Sequence, residues 1–153
     1  MNILVVDDES IIRSGIERTI KKSYPDHRVL LAESPEEAVQ LLKNEAIDLV
    51  LTDVLMPGMT GLQLMEISRK RHAHVRWVVI SAHSEFTYAQ EAVRLGARDY
   101  LLKPIGKNNL NDMIGEIGEE IAKENEWSRE AHLLKANLRF FAGGGICPVG
   151  LRP

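Results

Sequence analysis

The sequence predicts an α/β fold, a doubly wound parallel sheet of five strands flanked by helices. Three observations support this prediction. Short runs rich in Val, Ile and Leu alternate with longer amphipathic stretches, which is the pattern left by parallel strands and crossover helices. Residues typical of helix ends stand at the boundaries between these segments. Polar residues directly follow the apolar runs, at the carboxyl ends of strands where doubly wound sheets bind ligands.

The apolar runs and the amphipathic stretches define the individual elements. Each predicted strand is short and consists mostly of apolar residues, as expected for a strand that is buried on both faces. We predict strands at residues 3–6, 28–31, 49–52, 76–80 and 99–102. We predict helices between consecutive strands, at residues 10–22, 35–43, 61–70 and 85–95.

Two of these helices carry specific end signals. Ser34 offers a capping oxygen, and Pro35 suits the first turn of the second helix. Glu36 and Glu37 place negative charge at the positive end of the same helix. Gly96 follows the fourth helix, where a left-handed residue commonly ends a helix.

The apolar pattern continues into a long final helix. Two groups of apolar residues recur at helical spacing, namely Leu110, Ile114, Ile117 and Ile121, and then Trp127, Ala131, Leu134 and Leu138. We predict a helix of about 30 residues whose first half packs on the sheet. Its second half would pair with another copy or lead to an output domain, and a solvated helix with incidental apolar residues is the alternative. Gly115 and Gly118 each weaken it by ~1 kcal/mol relative to alanine.

Composition limits the classes of protein to consider. With 44% hydrophobic and 27% charged residues, the sequence is ordinary for a globular protein, and no apolar stretch approaches the ~20 residues that span a bilayer. The first residues lack a basic leader, so we expect no secretory signal. Cys147 is the single cysteine, which excludes an internal disulfide and favours a reducing cytoplasm. The net charge of -3 gives no general attraction to nucleic acid, so DNA binding would require a basic patch or another domain.

Five polar residues stand where four of the predicted strands end. Asp7 and Asp8 follow the first strand, and Asp53 follows the third. Ser81 follows the fourth strand, and Lys103 follows the fifth. Because the carboxyl ends of parallel strands lie at one edge of the sheet, we expect these side chains to converge.

The predicted cluster has the chemistry of a phosphoryl-accepting magnesium site. Three carboxylates near one lysine require a compensating cation, and Mg2+ prefers carboxylate, water and phosphate oxygens. Asp8 and Asp53 would bind it directly, and Asp7 directly or through water. Asp53 is the candidate nucleophile toward a phosphoryl group. The Lys103 ammonium would neutralise the developing charge, and the Ser81 hydroxyl would donate a hydrogen bond.

Four motifs resemble the signature of the receiver domains of two-component response regulators. They are VVDD at 5–8, DVLMPGMTG at 53–61, VISA at 79–82 and YLLKPI at 100–105. The resemblance covers about residues 1–125 and implies a flavodoxin-like sheet with strand order 2-1-3-4-5. It also implies a switch, rather than an enzyme acting on metabolites, that takes its phosphoryl group from a sensor histidine kinase.

The resemblance assigns roles to individual residues. Asp53 would be the phosphoacceptor, and Asp7 and Asp8 would be the acidic pair that holds Mg2+. The backbone carbonyl of Leu55 would be a further metal ligand. Ser81 and Lys103 match the hydroxyl and the lysine that contact the phosphoryl group. Tyr100 matches the aromatic switch residue, and the Lys103–Pro104 bond matches one that is cis in the family.

The resemblance also bears on domains and partners. Residues 81–105 resemble receivers whose response regulators carry an AraC-type helix-turn-helix output domain, which would make the full protein a transcription regulator. No such domain is present in this sequence, because the residues after 138 are too few. We expect a receiver domain at 1–125, a helical linker toward the missing output domain at 126–141, and a disordered or non-native tail at 142–153. A homodimer would form through the last helix, or through the face of the fourth helix, fifth strand and fifth helix.

Two other functions are compatible with parts of the pattern. A phosphorylation-independent interaction module could have the same fold. A phosphohydrolase with an aspartate nucleophile would also use Mg2+, but that class typically has Asp-x-Asp after its first strand. A dinucleotide-binding enzyme would require a glycine-rich turn there, and the sequence DDES contains no glycine.

Overall fold

The computed structural model describes residues 1–82 and 86–143, with side chains through residue 135. The chain divides into two compact units, Met1–Asp112 and Met113–Pro153. The first unit contains the whole sheet and the four helices between its strands. Of the predicted tail at 142–153, only the first two residues are described, and 144–153 lie outside the described residues.

The sheet has five parallel strands in the order β2-β1-β3-β4-β5, as the resemblance implies. The strands are β1 (Asn2–Val6), β2 (Arg28–Ala32), β3 (Leu49–Asp53), β4 (Arg76–Ser81) and β5 (Asp99–Leu102). Three of them extend one residue beyond the predicted end, so that Asp53 and Ser81 are the last residues of their strands. β3 is the central strand and β1 is next to it, and Leu4, Val5, Val50 and Leu51 in the middle of these two strands are almost completely buried.

The helices lie close to their predicted bounds. They are α1 (Ser10–Ser23), α2 (Pro35–Asn44), α3 (Gly61–Ser68), α4 (Phe86–Leu95) and α5 (Lys107–Gly143). Helix α3 ends at Ser68, two residues before the predicted end. The predicted first residue of the fourth helix, at position 85, lies outside the described residues. Helix α5 has 37 residues, more than the predicted 30 or so.

Side chains and glycines fix the helix ends. The Ser34 hydroxyl accepts a hydrogen bond from the Glu37 amide at 3.2 Å, which confirms the predicted cap of α2. Gly96 follows α4 with φ of 89°, and the Ala97 amide donates to the Ala92 carbonyl. This left-handed ending satisfies carbonyls that the helix itself leaves unpaired.

Apolar side chains fill both faces of the sheet. Leu4, Val6 and Val79 point to one face, where they form a single buried cluster with residues of α2, α3 and α4. Alternation along β1 places Ile3 and Val5 on the opposite face, and α1 packs against β1 and β2. The inner strands of the sheet are therefore buried on both faces, and they hold the residues at their carboxyl ends in fixed positions.

The start of α3 lies so close to the end of β3 that no side chain fits between them at Gly61. The Gly61 amide donates to the Val54 carbonyl at 2.8 Å. A Cβ at position 61 would overlap the carbonyl oxygen of Asp53 and lie 2.8 Å from the Thr52 hydroxyl. Only glycine fits here without moving the backbone that carries Asp53.

We therefore expect Gly61→Ala to lower the free energy of unfolding by about 1 to 3 kcal/mol, since overpacking a tight contact forces the backbone to shift. Gly15→Ala is the matched control, because a Cβ at Gly15 in the middle of α1 has no neighbouring atom within 4 Å. It should raise the free energy of unfolding by up to ~1 kcal/mol through helix propensity. Urea denaturation of both variants measures these changes. Equal effects of the two substitutions would contradict the close approach at Gly61.

Candidate functional site

The site lies at the carboxyl ends of the strands, where the predicted residues converge. The Lys103 Nζ atom, just beyond β5, donates to Asp7 Oδ2 at 2.9 Å and to Asp53 Oδ2 at 3.2 Å. These residues are up to 96 positions apart in sequence. All three side chains are at least 88% buried, so the two ion pairs are shielded from water. The ammonium joins the ends of three strands.

The backbone orients both buried aspartates in the same way. Asp7 Oδ1 accepts a hydrogen bond from the Glu9 amide at 2.9 Å, and Asp53 Oδ1 accepts one from the Val54 amide at 2.8 Å. Each Oδ2 atom is thus turned toward Lys103. Arg13 of α1 adds a further constraint by donating to the Asp7 carbonyl at 2.7 Å. The carboxylates are held in place before any ligand binds.

The balance of charge at the site is negative. Burial raises the pKa of Asp53 above its ordinary value, Lys103 opposes this shift, and the neighbouring Asp7 charge adds to it. Burial alone would lower the pKa of Lys103, but its hydrogen bonds and charge pairing with Asp7 and Asp53 outweigh this effect and raise it. The lysine is therefore firmly protonated, whereas ionised Asp53 is destabilised by its surroundings.

Four carboxylates come together at this edge of the sheet. Oxygens of Asp7, Asp8, Glu9 and Asp53 lie within 4.8 Å of one another. Asp7 and Asp53 are buried, whereas Asp8 and Glu9 are exposed to solvent. A set of hard oxygen donors with one open side suits a dication that keeps several waters. These residues thus fit a Mg2+ site.

Glu9 was missing from the sequence prediction. It directly follows Asp8, so the signal was a run of three acidic residues, of which only two were assigned. At the start of α1, the Glu9 side chain makes no capping hydrogen bond to its own helix. Its carboxylate is instead one of the four in the cluster.

Ser81 and Tyr100 lie next to each other on one face of the sheet. Ser81 is completely buried at the end of β4, and its carbonyl accepts a hydrogen bond from the Lys103 amide at 2.8 Å. Tyr100 of β5 pairs with Val79 and packs, half-buried, against the core under α4. Because Val79 and Ser81 are two residues apart, the hydroxyl and the aromatic ring lie on the same face.

Two further features predicted from the resemblance are the Leu55 carbonyl and the Lys103–Pro104 peptide bond. Leu55 follows Asp53 by two residues in the connection to α3, and its side chain is half exposed. Its carbonyl as a metal ligand remains a prediction. The Lys103–Pro104 peptide bond is cis, as the resemblance implies. Among the described residues, no helix is both long and apolar enough to span a bilayer.

Comparisons with known proteins agree with this geometry. Residues 3–115 match the family model of the response regulator receiver domain. The chain is 33% identical over 137 residues to the uncharacterized transcriptional regulatory protein YesN of Bacillus subtilis, covering 89% of this chain and 37% of that protein. It is 36% identical over 112 residues to the response regulator protein FleR of Pseudomonas aeruginosa, covering 73% of this chain and 23% of that protein. The chain thus spans well under half the length of these curated relatives.

A solved structure shows the same fold. The receiver domain of AraT, a response regulator from Geobacillus stearothermophilus, is 38% identical and superposes with a TM-score of 0.74. The alignment covers 81% of this chain and 97% of that one. The strand order, the cluster of strand-end residues and the match over residues 3–115 all agree. This chain belongs to the family of response regulator receiver domains.

Proposed function

We propose that the chain is a phosphorylation-dependent signalling switch whose phosphoacceptor is Asp53. The observation that carries this proposal is the position of Lys103, whose ammonium contacts the same Oδ2 atom of Asp53 that would attack a phosphorus atom. In that step a bond forms between Asp53 Oδ2 and phosphorus. The bond from phosphorus to the donor breaks, and the leaving group departs with its electron pair. The product is an acyl phosphate.

The surrounding residues have separate roles in this reaction. Asp7, Asp8, Asp53 and the Leu55 carbonyl would hold Mg2+, which supplies positive charge to the phosphoryl oxygens. Lys103 stabilises the same oxygens from the buried side and keeps its proton, consistent with its raised pKa. Ser81 donates its hydroxyl to a phosphoryl oxygen.

The phosphoryl group would change the charge at the strand ends by about −1.5 to −2. The Ser81 hydroxyl moves toward the new oxygens, and Tyr100 fills the space beside it. The two residues share a face of the sheet, which supports this coupling. Phe86 and Val93 of α4 and Leu102 of β5 are exposed large apolar side chains, and a partner would read the altered state there.

The donor of the phosphoryl group would be a sensor histidine kinase. We further propose that residues 1–125 are the receiver domain and that 126–141 lead as a helical linker toward an output domain. The names of two relatives, a transcriptional regulatory protein and a response regulator, support a role in transcription regulation. The chain itself would not act on metabolites.

Incubation with acetyl phosphate and Mg2+ tests the phosphoacceptor. We expect intact-mass spectrometry to show an adduct of ~80 Da on the wild-type chain. Asp53→Asn should abolish the adduct because the nucleophilic oxygen is lost. Asp26→Asn, at an exposed aspartate outside the site, should leave it unchanged.

The other outcomes favour other functions. If no adduct forms on the wild-type chain, a phosphorylation-independent interaction module is favoured. An adduct that persists in Asp53→Asn would exclude Asp53 as the acceptor. Repeated turnover of many phosphate esters would favour a phosphohydrolase.

The raised pKa of Asp53 predicts how stability depends on pH. A carboxyl group whose pKa is higher in the folded state stabilises the fold only while it is protonated. That contribution is lost as the pH rises from the ordinary value of 3.8 through the raised value. Without metal, Asp53→Asn should therefore be more stable than the wild type near neutral pH. This difference in stability should become smaller as the pH is lowered toward 3.8, the ordinary pKa of the carboxyl group.

Mg2+ should reduce the difference in stability between Asp53→Asn and the wild type. It should raise the melting temperature of the wild type more than that of Asp53→Asn, because it binds the folded acidic cluster. Thermal unfolding with and without Mg2+ measures both effects, again with Asp26→Asn as control. A wild type that is more stable than Asp53→Asn without metal at neutral pH would contradict the charge balance inferred for the site.

A further inference from the structure

The carboxyl-terminal half of α5 exposes large apolar side chains. Every residue from 122 to 135 is exposed. Trp127 is 75% exposed, Leu133 62% and Leu134 50%. Most helices in proteins depend on packing an apolar face against a neighbour, so a helix with such residues in water is expected to have a partner.

The apolar residues in this half follow a heptad repeat. Trp127, Ala131 and Leu134 are separated by four and then three residues, which assigns them to positions d, a and d. The next positions of the same repeat, Leu138 and Phe141, are also apolar and belong to α5. This narrow a/d stripe is the pattern of a coiled-coil seam.

We propose that α5 pairs with α5 of a second copy as a parallel two-stranded coiled coil over residues 127–141. Equivalent residues then face each other across the twofold axis. The small Ala131 layer lies between the bulky Trp127 and Leu134 layers, so large and small side chains alternate along the seam. The inference does not depend on phosphorylation.

Charges beside the seam support the parallel arrangement. In this register Glu130 occupies a g position and Lys135 the following e position. In a parallel dimer a g residue faces the next e residue of the other helix, so Glu130 would face Lys135 of the partner subunit. The twofold axis creates this oppositely charged pair twice. Both side chains are exposed, as flanking positions require.

Acidic residues set the amino-terminal limit of the seam and its register. The two preceding core positions, d and a, are Glu120 and Glu124. In a parallel dimer each would face its own copy, and like charges in close contact are unfavourable. The paired region therefore starts at Trp127. A slip by one heptad would place Trp127 opposite Glu120, which disfavours that alternative.

Analytical ultracentrifugation of the full chain without a phosphodonor tests the proposal. The molar mass should rise with concentration toward twice the 17.2 kDa of one chain. Leu134→Gln should weaken the dimer at least about tenfold, since it removes an apolar layer from the seam. Leu133→Gln is the matched control, because its c position lies outside the seam although its side chain is the more exposed. It should dimerise like the wild type.

Charge exchange tests the orientation of the helices. Glu130→Lys and Lys135→Glu should each weaken the homodimer several-fold, and mixing the two variants should restore wild-type affinity, because both pairs become attractive.

Three results would overturn the proposal. They are a monomer at all concentrations, equal effects of the two leucine substitutions, and a wild-type dimer whose mixed charge variants show no recovery. None of them bears on phosphorylation of Asp53, because no phosphoryl donor is present.

Discussion

The contact of a single ammonium group with carboxylates from two strands holds the site together. Lys103 reaches from the edge strand β5 across the end of β4 to Asp53 and Asp7. Two small residues, Ser81 and Ala82, stand at the end of β4. Two buried carboxylates without this cation would repel each other, and leaving one partner of a buried pair without its counter-charge typically costs about 3 to 5 kcal/mol. The order of the strands in the sheet therefore determines which charged groups meet at the site.

The same contact leaves the site short of positive charge. The ammonium contacts two carboxylates, both of them buried, in a cluster that contains four. The sheet imposes this arrangement, because backbone amides already orient Asp7 and Asp53. The raised pKa of Asp53 reflects the resulting cost of ionisation. Charge added beside Asp53 therefore changes the free-energy cost of ionising it.

The fold was predictable because its signals are local, whereas several site contacts were not. Strands buried on both faces leave continuous apolar runs, and the caps at Ser34 and Gly96 depend on adjacent residues. Convergence at the strand ends followed from topology alone. The close contact at Gly61 could not be predicted from topology, because it depends on how closely α3 approaches the backbone of Asp53. The position of the Glu9 carboxylate likewise depends on the geometry of the turn into α1, which spacing in sequence does not encode.

Helix α5 illustrates how the width of an apolar stripe distinguishes two kinds of packing. In its first turns the buried residues occupy positions a, d and e of the heptad, as Leu110, Met113 and Ile114 show. A stripe of this width is typical of a helix in a globular core. Beyond residue 121 the e positions become Ser128 and Lys135, and the stripe narrows to a and d. The sequence thus changes from the requirements of a core to those of a two-helix seam within one uninterrupted helix. That change explains why the apolar repeat continues into residues 122–135, all of which are exposed in a single copy.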